Sequence, residues 1–444
     1  MNPHKSNNAL LCLAIGTATA LAASSTVQAN GYHFLHQSTE GFGTAYATNG
    51  TAINDISAMF SNIASVTRFS GTNISTSLAL DFPRSNLTNG TATVTVTGNS
   101  VTGVPTEPSQ PIDTAVGAAT YFTHQLNDEL FFGVSFTAPF AYVSEYPDQA
   151  VSRYFATLTK LYAYNLNPVL GWKVSDRLSL AGGINIQLYE NDLNTMVPTD
   201  VDAPDPSTDV ESRISAEDTA YGFTLGLEYQ VSERTRIGVS YRSEIKHDFS
   251  GRSDFQGTQA NLDALLAGIP SMTSLEGDAR FDINTPSMFQ VGVVHQLQNS
   301  NWELYGNANR TGWSAFEDTH ITFSNGFPDV VVDNGWDDSW FVAVGAGYQY
   351  SENIKLRGGV AYDWTPTPAD TVSPRAPNND RMYAAVGMSY TPAEDWKLDF
   401  GYMYLKFKEV KIDLAGGNNT PRGTLNAGLD LYSNVFLFQA NKKF

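Results

Sequence analysis

The sequence predicts an all-β fold, a transmembrane antiparallel β-barrel in a bacterial outer membrane. Three observations lead to this prediction: a secretory signal, segments in which large apolar residues alternate with small or polar ones, and tyrosine and tryptophan at the ends of those segments. After the signal, no run of residues approaches the roughly 18 consecutive apolar residues of a membrane-spanning helix. Strands are therefore predicted to cross the membrane.

The first 29 residues have the pattern of a secretory signal peptide. Lys5 precedes an apolar run over 9–23, and Val27-Gln28-Ala29 is a small-residue cleavage site, so we expect cleavage after Ala29. The apolar core is too short for a transmembrane helix, which needs about 20 residues. Cleavage would remove Cys12, the only cysteine, which excludes disulfides and thiolate chemistry from the mature chain.

The composition fits a barrel and excludes one class of partner. Charged residues make up 16% of the chain, against an average of about 25% in soluble proteins, while glycine and aromatic residues are abundant. The formal net charge is −19. An acidic chain lacks the basic face that neutralises phosphates, so nucleic acid is not an expected partner.

A period of two residues recurs along the chain. In 396–404 one face carries Trp, Leu, Phe, Tyr and Tyr, and the other carries Lys, Asp, Gly and Met. Segments 236–242 and 223–231 alternate in the same way. Because successive side chains of a strand point to opposite faces, each segment is predicted to be a strand with one apolar face.

The ends of these segments distinguish a membrane barrel from a soluble β-sandwich. Tyr and Trp cluster there, as in the aromatic girdles of membrane barrels, and the chain ends on Phe444. Short polar turns such as 174–177 alternate with long polar stretches, which predicts short turns at one end and long loops at the other, with about 12 to 16 strands. The long stretches are 193–218, 250–279, 317–337 and 365–380.

The region before the first strand differs from the rest. Residues 31–67 are rich in Gly, Ala, Ser and Asn and do not alternate, which predicts a folded segment that partly plugs the lumen. A disordered periplasmic arm is the alternative. The predicted organisation is a signal peptide at 1–29, an N-terminal hatch at 30–70 and the barrel at 71–444.

Several motifs resemble the long-chain fatty acid outer-membrane transporter family of the FadL/TodX type. Segment 57–64 is similar to the Met-Phe-x-Asn-Pro-Ala motif of that family's hatch, with Ile63 in place of the proline. The longest motif is 241–251, and the order of the motifs along the chain adds to the resemblance. The other motifs are 41–47, 137–140, 144–148, 153–156, 312–316, 336–338, 356–363, 374–375 and 380–381.

The resemblance implies a barrel of fourteen strands closed by an N-terminal hatch. Hydrophobic molecules, either fatty acids or aromatic hydrocarbons, would be captured near the outer surface and leave sideways through a wall opening at a kinked strand. Transport would be passive diffusion without a cofactor. Pro139 fits such a kink because proline cannot donate to the ladder, although it could also end a strand. The gating candidates are Gly31, Asn62, Ile63, Ala64 and Pro139.

A fatty acid needs an apolar tunnel and a basic group for its carboxylate. The candidates for apolar contacts, which could equally be hatch core, are Phe34, Leu35, Phe42, Met59 and Phe60. The candidates for the head-group contact, each of which could instead be hydrated or paired with an acid, are Arg153, Lys160, Arg242, Lys246 and His320.

Other function classes have less support in the sequence. A barrel lipase would need a serine beside a histidine, and His124, His247 and His295 lack an evident partner; a porin or adhesin would have a wet lumen without a hatch. His33 and His36 lack the further ligands of a metal site. We therefore expect no enzyme activity, metal or cofactor. The expected protein is a monomer in contact with outer-membrane lipid and lipopolysaccharide.

Overall fold

The computed structural model describes residues 31–444 except 32, 52–54, 94–100, 102–110, 113, 201 and 416–421. The predicted signal peptide lies outside the described residues. Nineteen strands in the described part form one antiparallel sheet that closes where β1 pairs with β19. The strands are β1 Thr72–Thr93, β2 Ala115–Gln125, β3 Leu130–Glu145, β4 Leu158–Lys173, β5 Leu178–Val197, β6 Val210–Ser232, β7 Thr235–Arg242, β8 Ile245–Gln256, β9 Glu276–Thr285, β10 Ser287–Gln296, β11 Trp302–Gly312, β12 Thr319–Phe323, β13 Val330–Val332, β14 Ser339–Ser351, β15 Ile354–Asp363, β16 Arg381–Ala393, β17 Trp396–Phe407, β18 Val410–Leu414 and β19 Thr424–Lys443.

The barrel wall has fourteen strands. Three of them are interrupted: β7 continues as β8, β9 as β10, and β17 as β18. The remaining two segments, β12 and β13, form a hairpin within the loop between β11 and β14. The predicted all-β fold, a closed antiparallel barrel, is confirmed, as is the strand number that the family resemblance implied.

The two faces of the wall follow the predicted alternation. Phe223, Leu225 and Tyr229 of β6 are 43–51% exposed on the outer face, where the bilayer surrounds the barrel. Asp399 and Met403 of β17 are fully buried on the inner face. In the part of the chain that the structure describes, no helix has the length and apolarity needed to cross a bilayer.

The two ends of the barrel differ in the length of their connections. Turns such as 174–177 and 352–353 join strands at one end, the short-turn end, where β1 begins and β19 ends. The long-loop end faces the cell exterior in barrels of this type. Two predicted loops are shorter than expected. Loop 193–218 is shortened because β5 and β6 stay paired up to Val197 and Val210, and loop 250–279 because β8 and β9 stay paired up to Asp254 and Glu276. The ladder is formed by main-chain N–H and C=O groups, so strands can continue through polar residues beyond the membrane.

The N-terminal segment, residues 31–70, lies inside the barrel. Its described residues between 33 and 67 are buried, except for Ser61, which is half-buried. Its short helices touch opposite walls: α1 contacts β16, β17 and β19, and the second 3-10 helix contacts β3 to β6. The helices are α1 Thr39–Phe42, the 3-10 helices Ile56–Phe60, Ile63–Arg68 and Trp313–Ala315, and α2 Gln259–Gly268 in the loop after β8.

Candidate functional site

A belt of inward-facing glycines makes room for the N-terminal segment. Three pairs of these glycines are direct register partners on neighbouring strands, so each pair leaves a bare patch of backbone on the inner wall. We call these six residues the glycine belt: Gly238 with Gly292, Gly345 with Gly359, and Gly387 with Gly401.

The backbone of the N-terminal segment touches this belt directly. A methyl group at Gly238 would collide with the carbonyl oxygen of Gly50, and one at Gly359 would collide with the carbonyl oxygen of Thr44. At Gly387, a Cβ would lie 2.9 Å from the Cα of Gly43. The approach is so close that only residues without a side chain fit at these wall positions.

Asn62 fixes the turn between the two 3-10 helices. Its amide nitrogen donates to the carbonyl oxygens of Gly50 (2.8 Å) and Leu227 on β6 (3.0 Å), and its Oδ1 accepts from the backbone N–H of Ala64 (3.0 Å). Ile63 is the first residue of the second helix, a position that proline also tolerates because its N–H is not needed there. The cap therefore forms with isoleucine at this position.

Buried ion pairs hold the N-terminal segment near the short-turn end. Lys397 of β17 lies 3.1 Å from Asp55, and Arg357 of β15 lies 4.0 Å from Glu40 and 3.1 Å from Asp399. Burial raises the pKa of the Glu40 carboxyl above its usual range. Removing Lys397 would leave the buried carboxylate of Asp55 without its cationic partner, which is strongly destabilising.

The wall has a gap between β2 and β3. Their pairing extends from Gln125 and Phe131 only to Thr120 and Phe136, although β2 stays paired with β1 and β3 with β4 beyond that point. We call the stretch between 115–119 of β2 and 137–145 of β3 the seam. The β3–β4 register shifts between Thr137 and Phe140, so Pro139 lies within an irregular strand that continues to Glu145.

Residues 33–37 of the N-terminal segment fill the seam. The backbone N–H of Phe34 donates to the carbonyl oxygen of Pro139 (2.7 Å), and His33 forms an antiparallel bridge with Phe140. On the other edge the Phe34 ring covers Gly117 of β2, where a Cβ would lie 2.5 Å from a ring carbon. Unpaired backbone groups cannot face a bilayer, so this stretch takes over pairing that β2 does not provide.

Gln37 completes this closure with a side-chain amide. Its Nε2 donates to the carbonyl oxygen of Ala138 and its Oε1 accepts from the N–H of Ala138, both at 3.2 Å. Its own carbonyl oxygen accepts from the hydroxyls of Tyr121 (2.9 Å) and Ser77 (3.2 Å). The side-chain amide thus makes the two hydrogen bonds that a peptide group of a neighbouring strand would otherwise make with Ala138. No sequence pattern marks Gln37 as part of the site.

Two joined cavities lead inward from the long-loop end. The mouth cavity, of about 270 Å³, is lined mainly by apolar side chains, among them Phe323, Phe327 and Val331. It shares Leu193, Ile321, Val332 and Arg375 with a smaller aromatic cavity of about 40 Å³, which Phe316 and Trp336 line. Gly31, at a φ of 66°, packs against Trp313 and Trp336 below it.

A third cavity, the Arg242 pocket, lies deeper in the lumen and measures about 20 Å³. Arg242 is half-buried, lies over the Phe60 ring at 5.4 Å, and donates to the carbonyl oxygen of Phe60 (3.3 Å). Among the described residues no carboxylate lies within ion-pair distance of it. Three buried atoms lining the pocket have no hydrogen-bond partner: His33 Nε2, Gln290 Nε2 and Asn309 Oδ1.

His33 is a neutral side chain at this pocket. Burial is the main cause that lowers its pKa to about 3, and the charges of Arg242, Arg381 and His36 lower it further. His36 bonds to the Tyr46 hydroxyl at 2.5 Å and lies 3.7 Å from Asp81. The described residues contain no cluster of three or more metal-ligating side chains.

The other predicted head-group residues lie elsewhere. Arg153 is fully buried in the loop after β3, where it pairs with Asp209 (2.6 Å) and bonds to the Tyr154 hydroxyl. Lys160, beside Asp192, and Lys246, 82% exposed, are not among the residues that line the Arg242 pocket. His320 is exposed on the loop hairpin.

The predicted apolar residues divide into two groups. Phe42 and Met59 belong to the core of the hatch. Both are buried, and Phe42 packs against Gly401 of the wall while Met59 packs against Gly133. Leu35 and Phe60 line the Arg242 pocket. Phe34 contacts the seam instead. Of the gating candidates, Ala64 is buried and serves the Asn62 cap.

Comparisons with known proteins agree with this architecture. The chain is similar to a long-chain fatty acid transport protein of Escherichia coli O6:H1, 26% identical over an alignment of 421 positions that covers 90% of this chain and 92% of the relative. It is also similar to outer membrane protein P1 of Haemophilus influenzae, 26% identical over an alignment of 466 positions that covers 97% of this chain and 98% of the relative.

Solved structures share the fold. A Pseudomonas aeruginosa FadL homologue superposes with a TM-score of 0.83 at 23% identity, covering 93% of this chain and all of that one. The Pseudomonas putida toluene transporter TodX has a TM-score of 0.68 at 14% identity, covering 94% and 100%. The family described as outer membrane protein transport protein (OMPP1/FadL/TodX) matches residues 20–444. This chain therefore belongs to that family and to the outer membrane.

Proposed function

We propose that this protein carries long-chain fatty acids across the outer membrane. Transport of hydrophobic molecules is the activity of its family, and the E. coli relative is a long-chain fatty acid transport protein. The observation that favours a fatty acid is the Arg242 pocket. A lumen-facing guanidinium without an acidic partner, beside unpartnered side-chain atoms of His33 and Gln290, is suited to a carboxylate.

The cavities suggest a route for the substrate. The apolar mouth cavity and the aromatic cavity would accept the acyl tail, and Arg242 would hold the head group deeper in the lumen. The seam beside residues 33–37 would then release the substrate sideways into the membrane. We propose that the N-terminal segment is the hatch on this route, and that transport is passive diffusion.

Aromatic hydrocarbons are the second candidate substrate, since TodX, which shares the fold, is a toluene transporter. A hydrocarbon could bind in the apolar mouth cavity. It would make no favourable polar contact in the Arg242 pocket, because it has neither a charge nor an acceptor for the guanidinium. A polar group that loses water without gaining a partner costs free energy. The two substrates therefore differ in whether Arg242 matters.

The test is equilibrium binding and uptake of oleate, methyl oleate and toluene by wild type and Arg242→Gln protein in lipid vesicles. Hydrogen bonds to a charged group contribute about 1.5–3 kcal/mol, so we expect oleate affinity to fall by roughly 10- to 150-fold. Toluene should be unaffected, and methyl oleate should lose less affinity than oleate because its ester carbonyl is only a neutral acceptor. Arg310→Gln is the matched control, because Arg310 is 54% exposed and pairs with Asp338. Equal oleate binding by wild type and Arg242→Gln would overturn the proposal.

Two further features of the environment are proposals as well. The outer face, with Tyr221 68% exposed and Trp302 46% exposed, would contact outer-membrane lipid and lipopolysaccharide. The chain would act as a monomer, because a single barrel already encloses the complete lumen and its cavities.

A further inference from the structure

The aromatic cavity is lined by a buried amide that the fold does not use. Asn191 of β5 is 1% exposed, and its register partners are apolar, Leu161 on β4 and Ala216 on β6. Neither its Nδ2 nor its Oδ1 has a hydrogen-bond partner in the part of the chain that the structure describes. Burying an amide costs free energy unless it is hydrogen-bonded, so we expect a partner from outside the chain at this position.

The other polar groups of the cavity are already bonded within the chain. The hydroxyl of Thr319 accepts from the Nδ2 of Asn334 (2.9 Å), and the guanidinium of Arg375 donates to the hydroxyl of Thr159 (3.3 Å). Of the amide and hydroxyl groups that line the cavity, all of which belong to described residues, only that of Asn191 lacks a partner.

The chemistry of an amide limits what can satisfy it. A ligand group that uses both of its atoms must accept from Nδ2 and donate to Oδ1, and a hydroxyl does both. A carboxylate only accepts, and bringing its charge beside Leu161, Phe316 and Trp336 costs free energy. A hydrocarbon does neither. The free amide therefore favours a neutral hydroxyl over the other two.

The two joined cavities have room for a molecule that carries such a group. The aromatic cavity, of about 40 Å³, admits a hydroxyl but not a ring. The mouth cavity, of about 270 Å³, exceeds the roughly 150 Å³ of an apolar cavity that binds benzene. Leu193, two residues from Asn191 on the same face of β5, lines both cavities. A ring in the mouth cavity can thus direct a hydroxyl past Leu193 toward the amide.

We propose that Asn191 is a recognition site for hydrophobic molecules that carry a hydroxyl group, such as phenols and alcohols. The apolar part lies in the mouth cavity, and the hydroxyl accepts from Nδ2 and donates to Oδ1 of Asn191. This goes beyond the proposed fatty acid function, which depends on Arg242. The two sites take different chemistry, an anion at Arg242 and a neutral hydroxyl at Asn191.

The test is equilibrium binding of para-cresol, toluene and para-toluate to wild type and Asn191→Leu protein in lipid vesicles. The three ligands differ only in the group opposite the methyl, which is a hydroxyl, a hydrogen or a carboxylate. Leucine keeps the branched shape of asparagine and removes both polar atoms. We expect the affinity for para-cresol to fall by about 2- to 10-fold in Asn191→Leu, while the affinities for toluene and para-toluate do not fall.

Asn167→Leu is the matched control. Asn167 is a buried asparagine on the neighbouring strand β4, lines neither cavity, and donates to the carbonyl oxygen of Ile184 (2.9 Å). Binding of all three ligands should be unchanged in this variant. Its unfolding temperature should fall because a hydrogen bond is lost, whereas that of Asn191→Leu should not fall. Unfolding temperature thus separates a folding defect from a loss of recognition.

The outcomes decide between a hydroxyl site and its alternatives. Equal para-cresol affinity in wild type and Asn191→Leu would overturn the proposal, and would mean that ordered water alone satisfies the amide. An equal loss for all three ligands would also overturn it, since only the shape of the cavity would then matter. If para-toluate lost as much affinity as para-cresol, the site would take an anion instead. The fatty acid proposal is tested separately, because Arg242→Gln should leave para-cresol binding unchanged.

Discussion

Two stretches of the N-terminal segment are held to the same wall by different forces. The upper stretch, residues 33–37, is attached along the seam by a few hydrogen bonds, two of them from the Gln37 amide. The lower stretch, residues 41–67, has its backbone pressed into the glycine belt and is further held by Asn62 and by the ion pair between Asp55 and Lys397.

The difference indicates which part can move. A hydrogen bond contributes about 1 kcal/mol net, and the groups at the seam can exchange one partner for another when a substrate arrives. The lower stretch cannot leave without exposing closely packed backbone and a buried carboxylate, both of which cost more. We therefore expect a fixed plug below and a mobile closure above. Four changes would break or sharpen this comparison.

Gly238→Ala should have the largest effect, because its methyl group would collide with the backbone of Gly50 and cannot be relieved by a rotamer change. Overpacking of this kind costs about 1–3 kcal/mol or more. We expect the lower stretch to separate from the wall, with faster amide hydrogen exchange over residues 41–51 and a leak of glucose from vesicles.

Gly182→Ala is the matched control for this change. Gly182 lies on β5 with no atom near the position of an added methyl group, so exchange and leak should stay at wild-type values. If Gly238→Ala leaked no more glucose and exchanged its amide hydrogens no faster than Gly182→Ala, the glycine belt would not be what fixes the plug.

Asn62→Ala should have the second largest effect, since it removes two donated bonds and a helix cap. The expected loss is about 2 kcal/mol in the free energy that holds the lower stretch. Hydrogen exchange over residues 62–68 should rise while that over 33–37 does not. Asn62→Asp keeps the cap to Ala64 but turns a carboxylate oxygen toward the carbonyl oxygens of Gly50 and Leu227, so it should loosen the lower stretch at least as much as Asn62→Ala.

Gln37→Ala should release only the upper stretch. It removes both bonds to Ala138, worth about 1 kcal/mol each. Exchange should rise at 33–37 and at Ala138 and Phe140, while residues 41–67 stay protected. Gln37→Glu still accepts from the N–H of Ala138 but places a carboxylate oxygen against the carbonyl oxygen of Ala138, so it should release the upper stretch at least as much as Gln37→Ala. Equal deprotection of both stretches would contradict the division into plug and closure.

Acidification should loosen the upper stretch by the smallest amount. The pKa of His33 is lowered to about 3 in the packed state, against about 6.5 when the stretch is released, so the released state binds more protons between these values. The packed state is fully stabilised above about pH 6.5 and loses stability as the pH falls. From about pH 7.5 to about pH 5.5 we expect a loss of roughly 1 kcal/mol. Hydrogen exchange at 33–37 measures it, and His33→Phe should abolish the dependence.

The sequence predicted the wall better than the lumen. The alternation in 223–231 and 396–404 placed Phe223 and Asp399 on the correct faces, and the short turns lie where they were expected. The pattern did not reveal the ends of β5 and β6, because polar residues continue the ladder beyond the membrane. The family motifs supplied the strand number that spacing left open.

The sequence named some of the site residues but did not show which of them lie together. Leu35, Phe60 and Arg242 were named from the sequence and meet at one pocket, but nothing local separated Arg242 from Arg153, which is committed to Asp209. Gln37 carried no signal at all, since an isolated glutamine in a polar segment has no pattern. Its partner Ala138 is far away along the chain.

The sequence alone determined that the chain forms a membrane barrel, because a period of two residues is a local property that sets which face of each strand is apolar. Only the tertiary structure decided which of the 36 glycines form the belt and where the ladder between β2 and β3 ends. Both depend on the register between strands and on contacts between distant residues. Such contacts arise when the barrel closes around its own N-terminal segment, and no local pattern encodes them.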